Sequence, residues 1–148
     1  MPKVITPRTF GKPLGMYSHG MLAAGGELLV VAGQVGTDRE GRAGDDVIAQ
    51  TKQAFANVGA VLDAGGCRWR DVVRLQTFLT SADDIAGFMK ARQEVFPGYF
   101  PDGAYPPNTL LVVSRLVRPE LRVEIEAMAV RPRPVARRKP APRRKSRR

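Results

Sequence analysis

Residues 45–66 read DDVIAQTKQAFANVGAVLDAGG and form the most regular stretch of the chain. Their apolar side chains recur every three or four positions, which predicts a helix with one apolar face. Asp45 or Asp46 can cap the first turn, where backbone N–H groups lack partners, and Gly65–Gly66 can end the last turn. A helix with a single apolar face must pack against other elements, and the flanking sequence supplies strands.

Extended segments lie on both sides of this helix. Residues 20–24 and 27–35 flank Gly25–Gly26, a pair that tolerates positive φ and is typical of a hairpin turn. The segment 27–35 is almost entirely apolar, as expected of a strand that is covered on both faces. Residues 72–79 show the period of two that a strand requires.

A second helix is predicted after this strand. Ser81, with Asp84 three residues further on, is a variant of the capping box, and the apolar residues behind it have helical spacing. Pro97–Gly98 is expected to end the helix. Two closing strands are predicted near 109–115 and 121–130.

The resulting order of elements is β-β-α-β-α-β-β. Helices separated by single strands require crossover connections and some parallel pairing, whereas the two strands at each end are expected to form antiparallel hairpins. We therefore predict an α+β fold with a mixed β-sheet and both helices packed on one face. The opposite face then has no helix to cover it, which favours self-association.

The composition fits one folded domain with a charged extension. The chain has 148 residues, of which 43% are hydrophobic, enough for one core. Its net charge of +10 comes from residues 131–148, which hold ten Arg or Lys and no acid. We assign residues 1–130 to the domain and 131–148 to a disordered basic tail. Two interpretations of the tail stay open: a solvated extension, or an arm that binds nucleic-acid phosphates without sequence preference.

The scarcity of cysteine and histidine excludes several classes of site. Cys67 alone cannot form an internal disulfide or a multi-thiolate metal site, and it is expected to be a small packing residue. His19 alone cannot supply a zinc-hydrolase cluster, so we expect neither a metal nor another cofactor. No apolar run is long enough for a membrane span, and the first residues lack a secretory-signal pattern. We expect a cytoplasmic protein with no membrane partner.

The strand predicted at 121–130 carries acidic residues in an apolar context. With a period of two, Glu124 and Glu126 share a face with Arg122, opposite Val123 and Ile125. Unpaired carboxylates are costly to bury. They are therefore either exposed, with Arg122 neutralising one of them, or they line a wet cleft or a subunit boundary, and both interpretations stay open.

Six short motifs point to a known family. They are Tyr17–Ser18, Val31–Val35, Gln50–Thr51, Val58–Gly66, Asp71–Val73 and Val123–Ala127. In this order they resemble the Rid (reactive intermediate deaminase, YjgF-like) family. The resemblance implies a chorismate-mutase-like α+β subunit that forms a homotrimer, with small-molecule clefts between neighbouring subunits. In deaminating members these clefts hydrolyse enamines or imines and release ammonia.

The resemblance also assigns roles to individual residues. Tyr17 matches the family's cleft tyrosine and Glu124 matches its water-orienting glutamate, which makes these two the catalytic candidates. Gly33 matches the glycine of a Ser-Gly-Gln motif, and with Tyr17 and Asn108 it is a candidate for substrate binding. Asn108 stands where the family has an arginine that holds the substrate carboxylate. Met89 stands where an asparagine is common.

The amide at position 108 changes the expected substrate. The guanidinium that it replaces makes two charge-assisted hydrogen bonds to a carboxylate. Each such bond contributes about 1.5–3 kcal/mol, so Asn108 favours a neutral or amide-bearing ligand. Arg74 or Arg122 could substitute, although nothing in the sequence places either one. We expect 2-aminoacrylate-type imino acids to be hydrolysed poorly or not at all.

Three functions are compatible with these observations. In the first, a Rid-like homotrimer hydrolyses the C=N bond of an enamine, an imine or a related small metabolite, without being a standard 2-imino acid deaminase. In the second, the trimer binds a small molecule but does not catalyse a reaction. In the third, the tail at residues 131–148 contacts nucleic acid.

Overall fold

The computed structural model describes residues 1–9 and 11–133, which form an α+β fold as predicted. In this part of the chain a four-stranded mixed sheet carries two helices, and a separate sheet has two strands. The strands are β1 Lys3–Ile5, β2 Gly20–Leu22, β3 Gly26–Val35, β4 Val72–Leu79, β5 Asn108–Val112 and β6 Val123–Pro132, and the helices are α1 Val47–Ala64 and α2 Ile85–Tyr99.

The main sheet has the strand order β3-β6-β4-β5, with the last strand of the chain in the interior. β6 pairs antiparallel with both β3 and β4, while β4 and β5 pair in parallel. The parallel pair follows from the crossover through α2, which returns the chain to the same end of the sheet. The prediction of a mixed sheet is therefore confirmed.

Both predicted terminal hairpins are wrong. β2 pairs with β1 rather than with β3, and β5 pairs with β4 rather than with β6. Gly25 does take a positive φ of 58°, but it passes the chain from the small sheet to the main sheet. β6 supplies an unbroken row of alternate core residues, so an interior position buries it best and leaves the shorter β5 at the edge.

Helix α1 begins and ends at the predicted caps. The Asp46 side chain accepts a hydrogen bond from the Ala49 N–H at 2.7 Å, and the helix ends at Gly65. Gly66 then takes a φ of 69°, a conformation that favours glycine. The buried face of the helix consists largely of Val47, Ala54, Phe55, Val58 and Leu62.

Helix α2 does not stop at Pro97 as expected but continues to Tyr99. Proline in the last turn removes only one backbone donor, so the loss of hydrogen bonding is small. Aromatic packing holds this turn in place: Phe96 lies edge-on to Phe55 at 5.4 Å between centroids, and Tyr99 stacks on Trp69 at 4.1 Å.

The two faces of the main sheet have different surroundings. Val123, Ile125 and Ala127 of β6 are buried beneath the helices. On the other face, which we call the open face, Leu28 and Val30 of β3 are 63% and 59% exposed. Within the described residues this apolar face has no helix over it, in agreement with the uncovered face that the sequence predicts.

Strand β6 ends at Pro132, two residues beyond the predicted domain boundary at 130. Arg131 pairs with Glu27 of β3, which extends the antiparallel pair to this point. The prediction of a disordered tail from residue 131 is therefore wrong at residues 131 and 132. The rest of that prediction and the prediction of nucleic-acid contact fall largely on residues 134–148, which lie outside the described part of the chain. Neither helix of the described part is both long and apolar enough to span a membrane.

The buried Gln50 of α1 joins three parts of the domain. Its Nε2 donates to the backbone oxygens of Gly44 and Glu120, both at 3.0 Å. Its Oε1 accepts from the Arg122 N–H at 2.8 Å. One side chain thus fixes the loop before α1 and the entry into β6, using all but one of its hydrogen-bonding positions.

We expect Gln50→Leu to lower the free energy of unfolding by about 3 kcal/mol, because it leaves three backbone groups without partners. Gln53→Leu is the matched control on the same helix, since within the described residues the Gln53 side chain bonds to the Asn57 side chain and to no backbone group, and its effect should be below about 1 kcal/mol. Urea denaturation at one protein concentration measures both values. Equal losses in the two variants would contradict the role of Gln50.

Candidate functional site

A cavity of about 370 Å³ lies between α2, the start of β5 and residues 14–17. Tyr17 and Asn108, both candidates for substrate binding, line it together. Met89 and Leu110 contribute apolar walls. A small polar molecule fits such a volume, since ligand sites are mostly apolar with a few placed polar groups.

Asn108 is held at the mouth of this cavity by a buried threonine. It is the first residue of β5, and its Oδ1 accepts a hydrogen bond from the Thr77 hydroxyl at 2.9 Å. Thr77 is 1% exposed on the neighbouring strand β4. The bond therefore orients the amide on the helix side of the sheet.

The same cavity is bordered by Arg92, which sequence reasoning did not select as a site residue. Its guanidinium carbon lies 5.6 Å from the ring centroid of Phe88 and 5.5 Å from that of Phe96. The side chain donates from Nη2 to the Met89 sulfur at 3.0 Å. Its buried Nε has no hydrogen-bond partner among the described residues. Burial lowers the pKa of this guanidinium below its usual value, as desolvation does for any cation.

A signal for Arg92 was present in the sequence. The residue stands four positions after Phe88 and four before Phe96, so it occupies the apolar stripe of α2. A charged residue in that stripe is only 5% exposed in the fold. The spacing of residues placed Arg92 in the apolar stripe, but only the folded structure shows which groups surround its guanidinium.

Glu124 and Gly33, the other candidates, meet on the open face of the sheet. The register of β3 against β6 shifts between Val31 and Gln34, which marks a bulge. The Glu124 carboxyl lies directly over Gly33, where any Cβ would overlap its Oε1. This close approach requires glycine at position 33.

The protonation of Glu124 is shifted by its surroundings. Burial raises the pKa of its carboxyl above the ordinary glutamate value, and the charge of Glu126 on the same face of β6 raises it further. A carboxylate with a raised pKa is a stronger base at neutral pH. Glu124 is therefore suited to accept a proton from water.

The two groups of candidates lie on opposite faces of the sheet. Thr77 is in register with Ile125 and both are buried on the helix side, so Asn108 also lies there. Glu124 precedes Ile125 on β6 and points to the open face. One subunit by itself therefore does not bring the four predicted site residues together.

Neither arginine proposed as a substitute is available for this cavity. Arg122 makes two hydrogen bonds to Asp84, from Nε at 2.9 Å and from Nη2 at 2.6 Å, and so it does not neutralise the β6 carboxylates. Arg74 donates to Gln76 Oε1 at 2.6 Å, and both line a small pocket on the open face.

Cys67 is 2% exposed within the core, in agreement with a packing role.

We expect Glu124 to titrate above the ordinary glutamate pKa of about 4.3 in an NMR titration of its carboxyl carbon. Glu126→Gln should lower the pKa of Glu124 without abolishing the elevation, because burial is the larger cause. Glu120→Gln, which removes a carboxylate that pairs with Arg118, should leave the titration unchanged. A Glu124 pKa at or below the ordinary value would disprove the effect of burial.

Comparison with known proteins agrees with this fold. Residues 9–131 match the family described as Endoribonuclease L-PSP. The chain is 34% identical over 133 residues to a RutC family protein of Synechocystis sp., covering 88% of this chain and 97% of that protein. It is 29% identical over 132 residues to a 2-iminobutanoate/2-iminopropanoate deaminase of Salmonella typhimurium, covering 88% of this chain and 99% of that protein.

Solved structures give the same result. The crystal structure of a protein of unknown function from the conserved Rid family of Yersinia pestis matches with a TM-score of 0.75 and 35% sequence identity, covering 87% of this chain and 98% of that one. The family match over residues 9–131 includes both helices and the segments that carry the candidate site residues. The chain belongs to the Rid (YjgF-like) family.

Proposed function

We propose that this protein forms a homotrimer and hydrolyses the C=N bond of a small imine or enamine in clefts between neighbouring subunits. The observation that carries this proposal is the Glu124 carboxyl, seated over Gly33 with a raised pKa. The name of the Salmonella relative, an iminobutanoate and iminopropanoate deaminase, supports the reaction class.

The placement of the candidates supports a cleft built from two subunits. Glu124 and Gly33 lie on the open face, whereas Tyr17 and Asn108 line the cavity on the helix side. The open face also exposes Leu28 and Val30, with no helix over them in the described residues, as expected of a surface that packs against another copy. A ring of three subunits allows the open face of each to meet the cavity of the next.

The chemistry requires one proton acceptor and a bound substrate. Glu124 accepts a proton from water as the water oxygen attacks the carbon of the C=N bond. When the imine enters protonated on nitrogen, this attack gives a neutral carbinolamine and a protonated Glu124. Glu124 returns its proton to the nitrogen, the C–N bond breaks to release ammonia, and the hydroxyl gives its proton back to Glu124 as the carbon retains the oxygen as a carbonyl. An enamine enters this sequence after tautomerising to the imine. Tyr17 and Asn108 hold the substrate, and Gly33 allows the carboxylate to approach.

Two side chains influence which substrate is accepted. The Asn108 amide by itself favours a neutral or amide-bearing ligand, and on this ground short 2-imino acids are poor substrates. The Arg92 guanidinium borders the same cavity. Asn108 alone therefore does not decide whether the cavity prefers a neutral or an anionic ligand.

Glu124→Gln should reduce ammonia release by about a hundred-fold or more, because it removes the general base. The substrates for this assay are neutral imines, generated in situ by an amine oxidase, and carboxylate-bearing imines, generated in situ by an amino-acid oxidase. Glu126→Gln is the matched control: its carboxylate is exposed on the same strand face, and activity should stay within several-fold of the unmodified protein.

The same assay separates catalysis from binding alone. Ammonia release that is equal in the unmodified protein and in Glu124→Gln would contradict the proposed base. Binding of small carbonyl compounds, detected by thermal shift, with no turnover of any imine would instead support a trimer that binds ligand without catalysis.

Mixing two inactive variants tests whether the cleft spans two subunits. Tyr17→Ala and Glu124→Gln homotrimers should both be inactive, but co-refolded mixtures should recover about a quarter of full activity, since random assembly restores that fraction of clefts. Separately refolded samples that are then combined are the control. If the mixture stays inactive although mixed trimers form, the cleft lies within one subunit.

A further inference from the structure

Arg92 is a buried cation that the domain does not neutralise. Its side chain is 5% exposed, and no carboxylate among the described residues pairs with it. The buried carboxylate of Asp84 pairs with Arg122 instead. Burying an unpaired charge is costly, and ring faces such as those of Phe88 and Phe96 offset only part of the cost.

The Arg92 guanidinium also has N–H groups that are not fully used in hydrogen bonds. Nε has no partner in the described part of the chain, and the bond that Nη2 makes is to the thioether of Met89, a weak acceptor. Both facts point to an acceptor that the described residues of one subunit do not provide.

We propose that Arg92 binds an anionic group of the substrate, a carboxylate, in the cavity that it shares with Tyr17 and Asn108. That the substrate is an imine rests on the proposed function. The binding of an anion by Arg92 in this cavity does not depend on whether the imine is hydrolysed. The cation reaches this cavity from helix α2 rather than from the start of β5, where Asn108 lies.

The walls of the cavity favour this interaction. Met89 and Leu110 are apolar, and in such surroundings an ion pair is stronger than in water. The planar fork of an arginine matches the two oxygens of a carboxylate. Tyr17 and Asn108 then supply polar contacts for the remainder of the ligand.

The alternative is that Arg92 serves only to pack α2. In that case its removal would destabilise the domain and affect charged and neutral ligands alike. If Arg92 is an anion site, Arg92→Met removes an unpaired buried charge and replaces its stem with a side chain of similar length. The melting temperature of the variant without ligand should then be unchanged or higher.

Calorimetric titration of the full chain with pyruvate and with pyruvamide tests the proposal, since the two probes differ chiefly in charge. The unmodified protein should bind pyruvate at least about ten-fold more tightly than pyruvamide. Arg92→Met should bring this ratio near one, and Arg92→Lys should keep part of it. Arg39→Met, a substitution at an exposed arginine away from the cavity, should leave the ratio unchanged.

The inference is overturned if the unmodified protein does not prefer pyruvate, or if Arg92→Met keeps the preference. It is also overturned if Arg92→Met weakens both probes equally and lowers the melting temperature, the pattern of a packing residue. Glu124→Gln separates the two proposals, because it should abolish ammonia release and retain the preference for pyruvate. Preference through Arg92 without hydrolysis of any imine would refute the proposed function and leave this inference standing.

Discussion

Strand β6 lies between β3 and β4, so each of its side chains must point either to the helix-covered core or to the open face. Val123 and Ile125 point to the core and are fully buried there. Glu124, between them, is thereby directed to the open face and onto Gly33. A slip of one residue in the register would bury the carboxylate and expose the core. The register that builds the core therefore also decides where the acid lies.

Two buried polar side chains differ in how fully their hydrogen-bonding groups are used. Gln50 makes three hydrogen bonds to backbone groups and joins α1 to the loop before it and to β6. Arg92 has an unpaired Nε and faces a cavity. Protein interiors satisfy nearly all their polar groups, so the partners of Gln50 account for its burial, whereas the unpaired Nε of Arg92 is the observation on which the proposed anion site rests.

Much of the local structure was predictable because it depends on nearby residues. The caps of α1 at Asp46 and Gly65–Gly66 follow from side chains and backbone conformations within one turn. The alternation of 72–79 located β4, but a bulge near its start interrupts the period of two, so that Val72 is buried and Val73 is only half-buried. The predicted stop at Pro97 failed because packing between distant aromatic rings outweighs one lost hydrogen bond.

The sequence by itself determined the helices, most strand positions and the mixed character of the sheet, and its motifs named Tyr17, Gly33, Asn108 and Glu124 as candidates for one cleft. Only the tertiary structure decided which strands pair, that these two groups lie on opposite faces, and that Arg92 borders the cavity beside Asn108. The reason is physical. Caps and periodicity depend on neighbours a few residues away, whereas strand pairing and the desolvation of a charge depend on segments that meet only when the chain is folded.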